Sequence, residues 1–374
     1  MSATERGREA RSTLMTGQHR IVVLGAGYAG LAAAQQAVKA KGARVTVIDL
    51  HTEFVDRVRL HQVVAGQHVP RWELRNTLAA KGIEFVNGRA ERIDTAARRV
   101  ELASGDAVEY DSLIYALGSR ADLGMVPGAA EFACTIATSE DTHRIPALSG
   151  RVAVVGGGAT GIEAATELAE SRPDLEVLLV SSDEPGGWLI PKAVAHIRAT
   201  LDRLGVRVRV AKVAAVTATG LELVDGDRVD ADTVLWTTGF TVPEVAARSG
   251  LPVDARDRVL VDERLQVRGL PDVYAVGDAA VMLGHNGREA RMSCQAAQPA
   301  GKYLGAAVAA RVRGKQPAPY RVRFVLTCMS LGRRDGLVQL MKADDSNGST
   351  VLTGRTAAWI KEQIVSGVGR AAKP

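Results

Sequence analysis

Two glycine patterns stand where phosphate chemistry would be expected. Gly25-Ala26-Gly27-Tyr28-Ala29-Gly30 follows the apolar run Arg20–Leu24, and Gly156-Gly157-Gly158-Ala159-Thr160-Gly161 follows Arg151–Val155. In Gly-x-Gly-x-x-Gly the first glycine allows a tight turn and the second admits a pyrophosphate to the backbone. The third lets helix and strand pack closely. The helix that opens there adds free N–H groups and the positive end of its dipole. Behind the first pattern, the strand Arg44–Asp49 ends in an acid, Asp49, whose carboxylate can accept hydrogen bonds from ribose hydroxyls. Behind the second, the matching strand ends in Ser181-Ser182-Asp183. Hydroxyls replace the strand-end acid there, and no arginine adjoins to meet a 2′-phosphate, so NADH and NADPH both stay open.

Such patterns need parallel strands and helices to hold them. Continuous apolar runs such as Ile21–Leu24 and Val152–Val155 suit strands buried on both faces. The first unit reads as strand Arg20–Leu24, helix Leu31–Ala40 and strand Arg44–Asp49. The second reads as strand Arg151–Val155, helix Gly161–Ser171 and strand Glu176–Val180, a repeat of the same βαβ unit. Each is followed by a hairpin, Val100–Leu102 with Ala107–Tyr110 and Leu221–Val224 with Arg228–Asp230. A buried strand comes next in each, Asp111–Gly118 and Thr233–Gly239. Further on lie strands Arg258–Val261 and Val273–Val276, a helix Gln295–Arg311, the Pro317-Ala318-Pro319 hinge, strands near Phe324 and Val338, and an amphipathic helix Thr356–Ser366. The fold class expected is α/β: two nested Rossmann-like three-layer domains plus a short C-terminal region. Residues 1–19 are expected to be a disordered arm, 20–122 with 262–318 one discontinuous dinucleotide-binding domain, 123–261 the second, and 319–374 a C-terminal α/β region.

The 374-residue chain carries a net charge of +5 with both signs interspersed, which reads as a solvated surface. Aromatic residues make up 4%, too few for a base-stacking nucleic-acid surface. Cys134, Cys294 and Cys328 are scattered and odd in number, which fits a reducing compartment. His and Cys show no metal-ligand spacing. Residues 1–19 lack a signal-peptide core, and no run of 18 apolar residues occurs. A cytoplasmic protein is expected, and peripheral contact with the inner face of a membrane stays compatible with that.

The two glycine patterns, with Tyr115-Ala116-Leu117-Gly118-Ser119 and Tyr274-Ala275-Val276-Gly277-Asp278, resemble the FAD/NAD(P)-dependent oxidoreductases that carry two dinucleotide-binding domains. Within that superfamily the chain is similar to type II NADH dehydrogenases and apoptosis-inducing-factor-like flavoproteins, over roughly residues 20–340. The resemblance implies that Gly25, Gly27, Tyr28, Ala29, Gly30 and Asp49 bind non-covalent FAD. It implies that Gly156, Gly158, Thr160, Gly161 and Ser181 bind NADH or NADPH, with both reactive rings meeting between the domains. Ala116-Leu117-Gly118 would pass near the flavin, and Thr238-Gly239 near the nicotinamide. Gly277-Asp278 would hold the ribityl chain, where a carboxylate can accept hydroxyl hydrogen bonds. Glu163, after Ile162, would face the flavin–nicotinamide junction, whereas Glu167 and Glu170 read as solvent-exposed. Gln295-Ala296 would open a helix beside the flavin, its N-terminus stabilising negative charge on the reduced ring. Cys294 beside them reads as a small core residue. Arg59, His61 or Gln62 would reach flavin or substrate, and His61 reads equally well as structural. Leu50, Ala90 and Ile162 complete the expected contact set, with Glu163 and Gln295 as the catalytic pair.

The activity implied is hydride transfer from NAD(P)H to FAD, then electron transfer to a quinone or quinone-like small molecule. Reduction of a ferredoxin-type iron–sulfur protein, biosynthetic chemistry on a specialised metabolite, and a slow redox sensor are the alternatives. The first helix and its loop lack a cysteine pair, which argues against a thiol–disulfide relay. The tail is shorter than the membrane-lying helices of type II NADH dehydrogenases. Its Trp359, Ile360, Ile364, Val365 and Val368, among Lys361, Arg370 and Lys373, are expected to pack on the body or at a homodimer interface rather than on lipid.

Overall fold

The computed structural model describes residues 18–373, so the expected arm over residues 1–19 lies outside the described residues except at its last two. The chain first lays down β1 (His19–Leu24), β2 (Ala43–Asp49), β3 (Glu84–Asn87) and β4 (Ser112–Tyr115). It then leaves to build β5 (Ala133–Thr135), β6 (Arg151–Val155), β7 (Glu176–Ser181), β8 (Arg207–Val210) and β9 (Thr233–Trp236), and returns with β10 (Val273–Ala275). One sheet therefore runs β10-β4-β1-β2-β3 and the other β8-β7-β6-β9-β5, every pairing parallel. The second lobe is inserted into the first, as the repeat implies.

Each lobe is organised by one glycine-started helix. α1 (Tyr28–Ala37) follows β1, and α2 (Ala159–Ser171) follows β6. Both begin two or three residues before the expected start. Gly27 and Gly158 are the extended N-caps, so Gly30 and Gly161 lie inside the first turn. β4 and β9 end at Tyr115 and Trp236, sooner than expected, because Ala116–Gly118 and Thr237–Gly239 peel off the sheets as crossing loops. α3 (Cys294–Val312) packs along α1 at glycine contacts: a Cβ on Gly301 or Gly305 would overlap the carbonyl oxygens of Ala29 and Ala33. Two helices can approach that closely only where one lacks side chains.

The C-terminal region is a three-stranded antiparallel sheet, β11 (Leu326–Ser330), β12 (Gly336–Met341) and β13 (Asn347–Thr353), closed by α4 (Gly354–Ala372). β13 is an element the sequence reading did not anticipate, and α4 is longer than expected. Met329 and Leu337 join the core of the second lobe. Asp335 fixes the same seam, meeting His196 at 2.9 Å, Thr200 at 3.2 Å and Arg203 at 3.1 Å. Among the described residues no helix is long and apolar enough to cross a membrane.

Candidate functional site

A cleft of about 2190 Å³ runs between the lobes and under the C-terminal region. That is more than twice the roughly 1,000 Å³ upper bound for an ordinary small-molecule pocket. A glycine turn of each lobe faces it. Gly25 has φ +101° and Gly156 φ +124°, left-handed values that suit glycine. A Cβ on Gly25 would meet the Ala116 carbonyl oxygen at 2.5 Å, and one on Gly30 or Gly161 would overlap the carbonyl of Gly25 or Gly156. By contrast, a Cβ on Gly27 or Gly158 would find nothing within 4 Å, and both face the cleft. Each turn is thus closed behind and open in front, the form that admits a pyrophosphate at a helix N-terminus. Tyr28 and Ala29 line the cleft beside the first turn, and Thr160 beside the second. Gly30, Gly156, Gly161 and Ile162 do not line it. The glycines serve helix–strand packing, and Ile162 is fully buried in the second lobe's core.

Asp49 lines the cleft and is already held by the protein. Its Oδ2 accepts the Ala26 N–H at 2.5 Å and its Oδ1 accepts the His51 N–H at 2.8 Å. The His51 ring bridges Asp49 at 3.0 Å and Glu140 at 2.5 Å, joining the first lobe to the second across the cleft. Leu50 and Ala90 line the same end. Ser181 does not: its hydroxyl lies where a Cβ on Gly157 would stand, so it supports the second turn from behind.

Ala116, Leu117 and Gly118 line the cleft, as do Thr238, Gly239, Gly277 and Asp278. Asp278 accepts from Ser119 Oγ at 2.7 Å. Arg57 donates to the Ser119 carbonyl at 2.8 Å and its Oγ at 3.0 Å, lies 3.7 Å from Asp278 and covers the Phe240 ring. Of the two neighbouring arginines Arg57 and Arg59, Arg57 is the one that lines the cleft. Arg59, the one singled out from sequence, turns away to Glu362 and Ser366, because two residues along a 3₁₀ turn point in different directions. Gln295, in the first turn of α3, lines the cleft with a buried Oε1 that has no partner among the described residues. Ala296 lies behind it, its N–H capped by Ser293 Oγ at 3.2 Å.

Glu163 closes the far wall. Lys361 of α4 sits 3.1 Å from it, and Ser330 donates its backbone N–H at 2.9 Å. Burial alone would raise the Glu163 carboxyl, but Lys361, His61 and Ser330 hold it below the usual range. Lys361, named from sequence only among the charged residues of the amphipathic tail, has a side chain just 13% exposed. It shares the stripe Ala357, Lys361, Ile364, Val365 and Val368, an apolar spacing that could have given it away. Glu167 is likewise not solvent-exposed: it has 0% accessibility and pairs with Arg333 at 2.8 Å. The sequence offers no local sign of this, since its partner lies in a distant turn. Glu170 meets the Arg333 backbone N–H. His61 is buried beside Glu163, and Gln62 is buried away from the cleft. Cys294, expected in the core, is instead half-buried and lines the cleft, and burial pushes its thiol up to about 11.

Two parallel-sheet lobes, each with a glycine turn open to one shared cleft, define a two-dinucleotide oxidoreductase architecture. The pyridine nucleotide-disulphide oxidoreductase family matches residues 19–301, and the chain belongs to that family. An NADH dehydrogenase-like protein of Mycobacterium tuberculosis is 29% identical over 342 residues, 84% of this chain and 86% of the relative. An alternative NAD(P)H-ubiquinone oxidoreductase of Arabidopsis thaliana is 28% identical over 85% of this chain and 72% of its own length. The fold is shared with the Plasmodium falciparum NDH2 structure in complex with NADH, with a TM-score of 0.81 over 95% of this chain and 96% of that one, at 14% identity. Cys134, Cys294 and Cys328 are free thiols.

Proposed function

We propose that the chain is an FAD-dependent oxidoreductase that takes hydride from NADH or NADPH and passes electrons to a quinone or quinone-like small molecule. The carrying observation is the continuity of the cleft. It touches Gly27 and Gly158, passes the start of α3, and runs on past Cys328 to Ile364, Val365 and Val368. Two glycine turns and a set of apolar lining residues in one cleft suit two dinucleotides and a third, apolar molecule. The ubiquinone in the name of the Arabidopsis relative supports the same acceptor class.

The FAD, when bound, would supply the hydride-accepting and electron-releasing chemistry. The chain's own residues would do the rest. Gly25–Gly30 and Asp49 would hold the adenosine and pyrophosphate, and Asp278 with Ser119 the ribityl hydroxyls. Arg57 has donors to spare beside them, and the N-terminus of α3 favours negative charge. The free Gln295 Oε1 is available to accept one ring N–H. Ile364, Val365 and Val368 would exclude water from the acceptor. Residues 20–122 with 262–318 would form the FAD domain and 123–261 the nicotinamide domain. Trp359, expected to pack on the body, is instead exposed on the C-terminal region with Val325, Leu340 and Leu352, which supports peripheral contact with a membrane.

Anaerobic titration of the purified protein with NADH and NADPH, followed by a short-chain quinone, tests this. Bound flavin should bleach with at least one nicotinamide and recover with quinone. Protein without flavin, or flavin that neither nicotinamide bleaches, ends the reading. Recovery that needs an added ferredoxin would favour the iron–sulfur alternative.

A further inference from the structure

The loop that leaves the end of β7 carries an aromatic ring that the hydride chemistry does not use. Trp188 lines the cleft on the same lobe as Gly158, Ala159 and Thr160. It is 44% exposed, while Leu189 beside it is buried in the second lobe's core. Among the described residues no aromatic ring or cation stacks on it. An indole is large and mostly apolar, and it gains stability when something covers it.

The backbone around this ring is held from two sides. Gly186 donates its N–H to the Gly157 carbonyl at 3.1 Å, which ties the loop to the glycine turn itself. Gly186 has φ +75°, and a Cβ on it would meet Ile197 Cδ1 at 2.5 Å. From the other side the C-terminal sheet takes hold. Asn347, at the start of β13, donates from Nδ2 to the Trp188 carbonyl at 2.9 Å. Gln339 of β12 accepts the Ile190 N–H at 3.2 Å and donates to Asn347 Oδ1 at 2.7 Å. Gln339 is fully buried, and burying an amide is costly unless its hydrogen bonds are made. Both amides reach the backbone beside Trp188, so the ring is fixed in place without being covered.

The order of the sheet says which part of a dinucleotide lies there. A helix N-terminus such as that of α2 takes the pyrophosphate. β9 pairs with one edge of β6, and its crossing loop brings Thr238 and Gly239 to the cleft. β7 pairs with the opposite edge. In this architecture the adenosine ribose sits at the end of the second strand of the βαβ unit, which here is β7. The adenine therefore falls beside the loop that β7 opens, and Trp188 is that loop's exposed aromatic. We propose that Trp188 stacks on the adenine of bound NADH or NADPH, on a loop that Asn347 and Gln339 hold. This inference rests on the function proposed above. Stacking needs only a π-face, so a 2′-phosphate leaves it unchanged. The C-terminal sheet then shapes the donor's site as well as the acceptor's, since Cys328 of β11 lines the same cleft.

The test uses the FAD-loaded protein and the two halves of the dinucleotide, ADP-ribose and reduced nicotinamide mononucleotide. Trp188→Ala should weaken ADP-ribose binding by about 5- to 150-fold, the equivalent of about 1–3 kcal/mol of base–aromatic stacking. Trp188→Phe, which keeps a π-face, should stay within about threefold of the parent. Both variants should bind reduced nicotinamide mononucleotide within about twofold of the parent, because that half lacks the base. In anaerobic stopped flow, the NADH concentration that gives half-maximal bleaching should rise in Trp188→Ala. A measurement on the parent guards against a variant that does not fold. ADP-ribose should quench its tryptophan fluorescence, and Trp188→Phe should abolish that quenching while Trp72, Trp236 and Trp359 remain. ADP-ribose binding by Trp188→Ala within about twofold of the parent, or an equal loss of both halves, overturns the adenine assignment. Fluorescence unmoved by saturating ADP-ribose overturns it as well. A parent whose flavin neither NADH nor NADPH bleaches defeats the proposed function itself, which separates the two failures.

Discussion

At the scale of the residue, one amino acid meets opposite needs a few positions apart. Gly30 is glycine because a side chain would overlap the Gly25 carbonyl, while Gly27 has open space in front of it. Gly30→Ala should therefore destabilise the fold by about 1–3 kcal/mol, the usual range for overpacking. Gly27→Ala should leave the melting temperature nearly unchanged and lower the bound FAD. Melting curves and flavin absorbance on the two variants separate these outcomes, and equal effects on both would refute the assignment. The Glu163–Lys361 pair makes a second residue-scale case. Lys361→Met leaves a buried carboxylate without its cation, a loss of about 3–5 kcal/mol. The double variant with Glu163→Gln should recover most of that. Urea unfolding of the full cycle measures the coupling. The pH dependence has a definite sign. The Glu163 carboxyl is depressed in the folded protein, so its contribution is present above the ordinary carboxylate range and is lost as pH falls through the depressed value. In Lys361→Met burial acts with less opposition and raises the Glu163 carboxyl, so the dependence should change sign: stability is lower above the ordinary carboxylate range and is regained as pH falls.

At the scale of the element, the legible features were those written locally. Strand, glycine turn, helix and strand-end acid follow one another within a single βαβ unit, so Gly25–Gly30, Asp49 and the repeat at Gly156–Gly161 could be read directly. Ends were less legible, since nothing local marks where Ala116–Gly118 leaves the sheet. β13 was missed because Asn347–Thr353 is mostly exposed and polar, with an edge-strand pattern that resembles a loop. Least legible was which of two neighbouring arginines, Arg57 or Arg59, faces inward, because a 3₁₀ turn rather than a strand carries them. The α1–α3 contact offers a prediction that belongs to this scale. Gly301 abuts Ala29, which lines the cleft, and Gly305 abuts Ala33, which does not. Alanine at either position should push the helices apart and lower stability by about 1–3 kcal/mol. Only Gly301→Ala should also weaken FAD binding. Thermal melts with and without added FAD decide this, and a Gly305→Ala variant that loses flavin equally would contradict it.

At the scale of the whole molecule, the duplication announced two lobes but not how they are tied. The ties are pairs far apart in sequence: His51 with Glu140 between the lobes, and Glu163 with Lys361 and Glu167 with Arg333 between the second lobe and the C-terminal region. No periodicity marks them, because each half looks like an ordinary surface charge until the chain closes. The His51 tie has a pH dependence that follows from its geometry. Its two ring nitrogens each face a carboxylate, Asp49 at 3.0 Å and Glu140 at 2.5 Å. Carboxylates only accept hydrogen bonds, so both contacts form together only when the ring carries two protons. The bond to Asp49 first, against the cost of burial, raises the His51 pKa. For Glu140, burial works upward, but its helix-start N–H bond and His51 bring it below the usual range. A raised imidazole stabilises below its unfolded value and ceases to do so as pH rises through the folded one. A depressed carboxylate behaves in the reverse sense at the acid end. The tie should therefore be closed between the two and open in mild alkali. Because it spans the cleft beside Asp49, release of FAD should be slow near pH 6 and accelerate as pH rises toward 9. His51→Gln should release FAD faster at pH 6 and flatten the dependence, whereas Glu140→Gln should weaken it in part. Flavin fluorescence after dilution follows the release directly, and a His51→Gln protein with the parent's rate and pH slope would show that the lobes are held elsewhere.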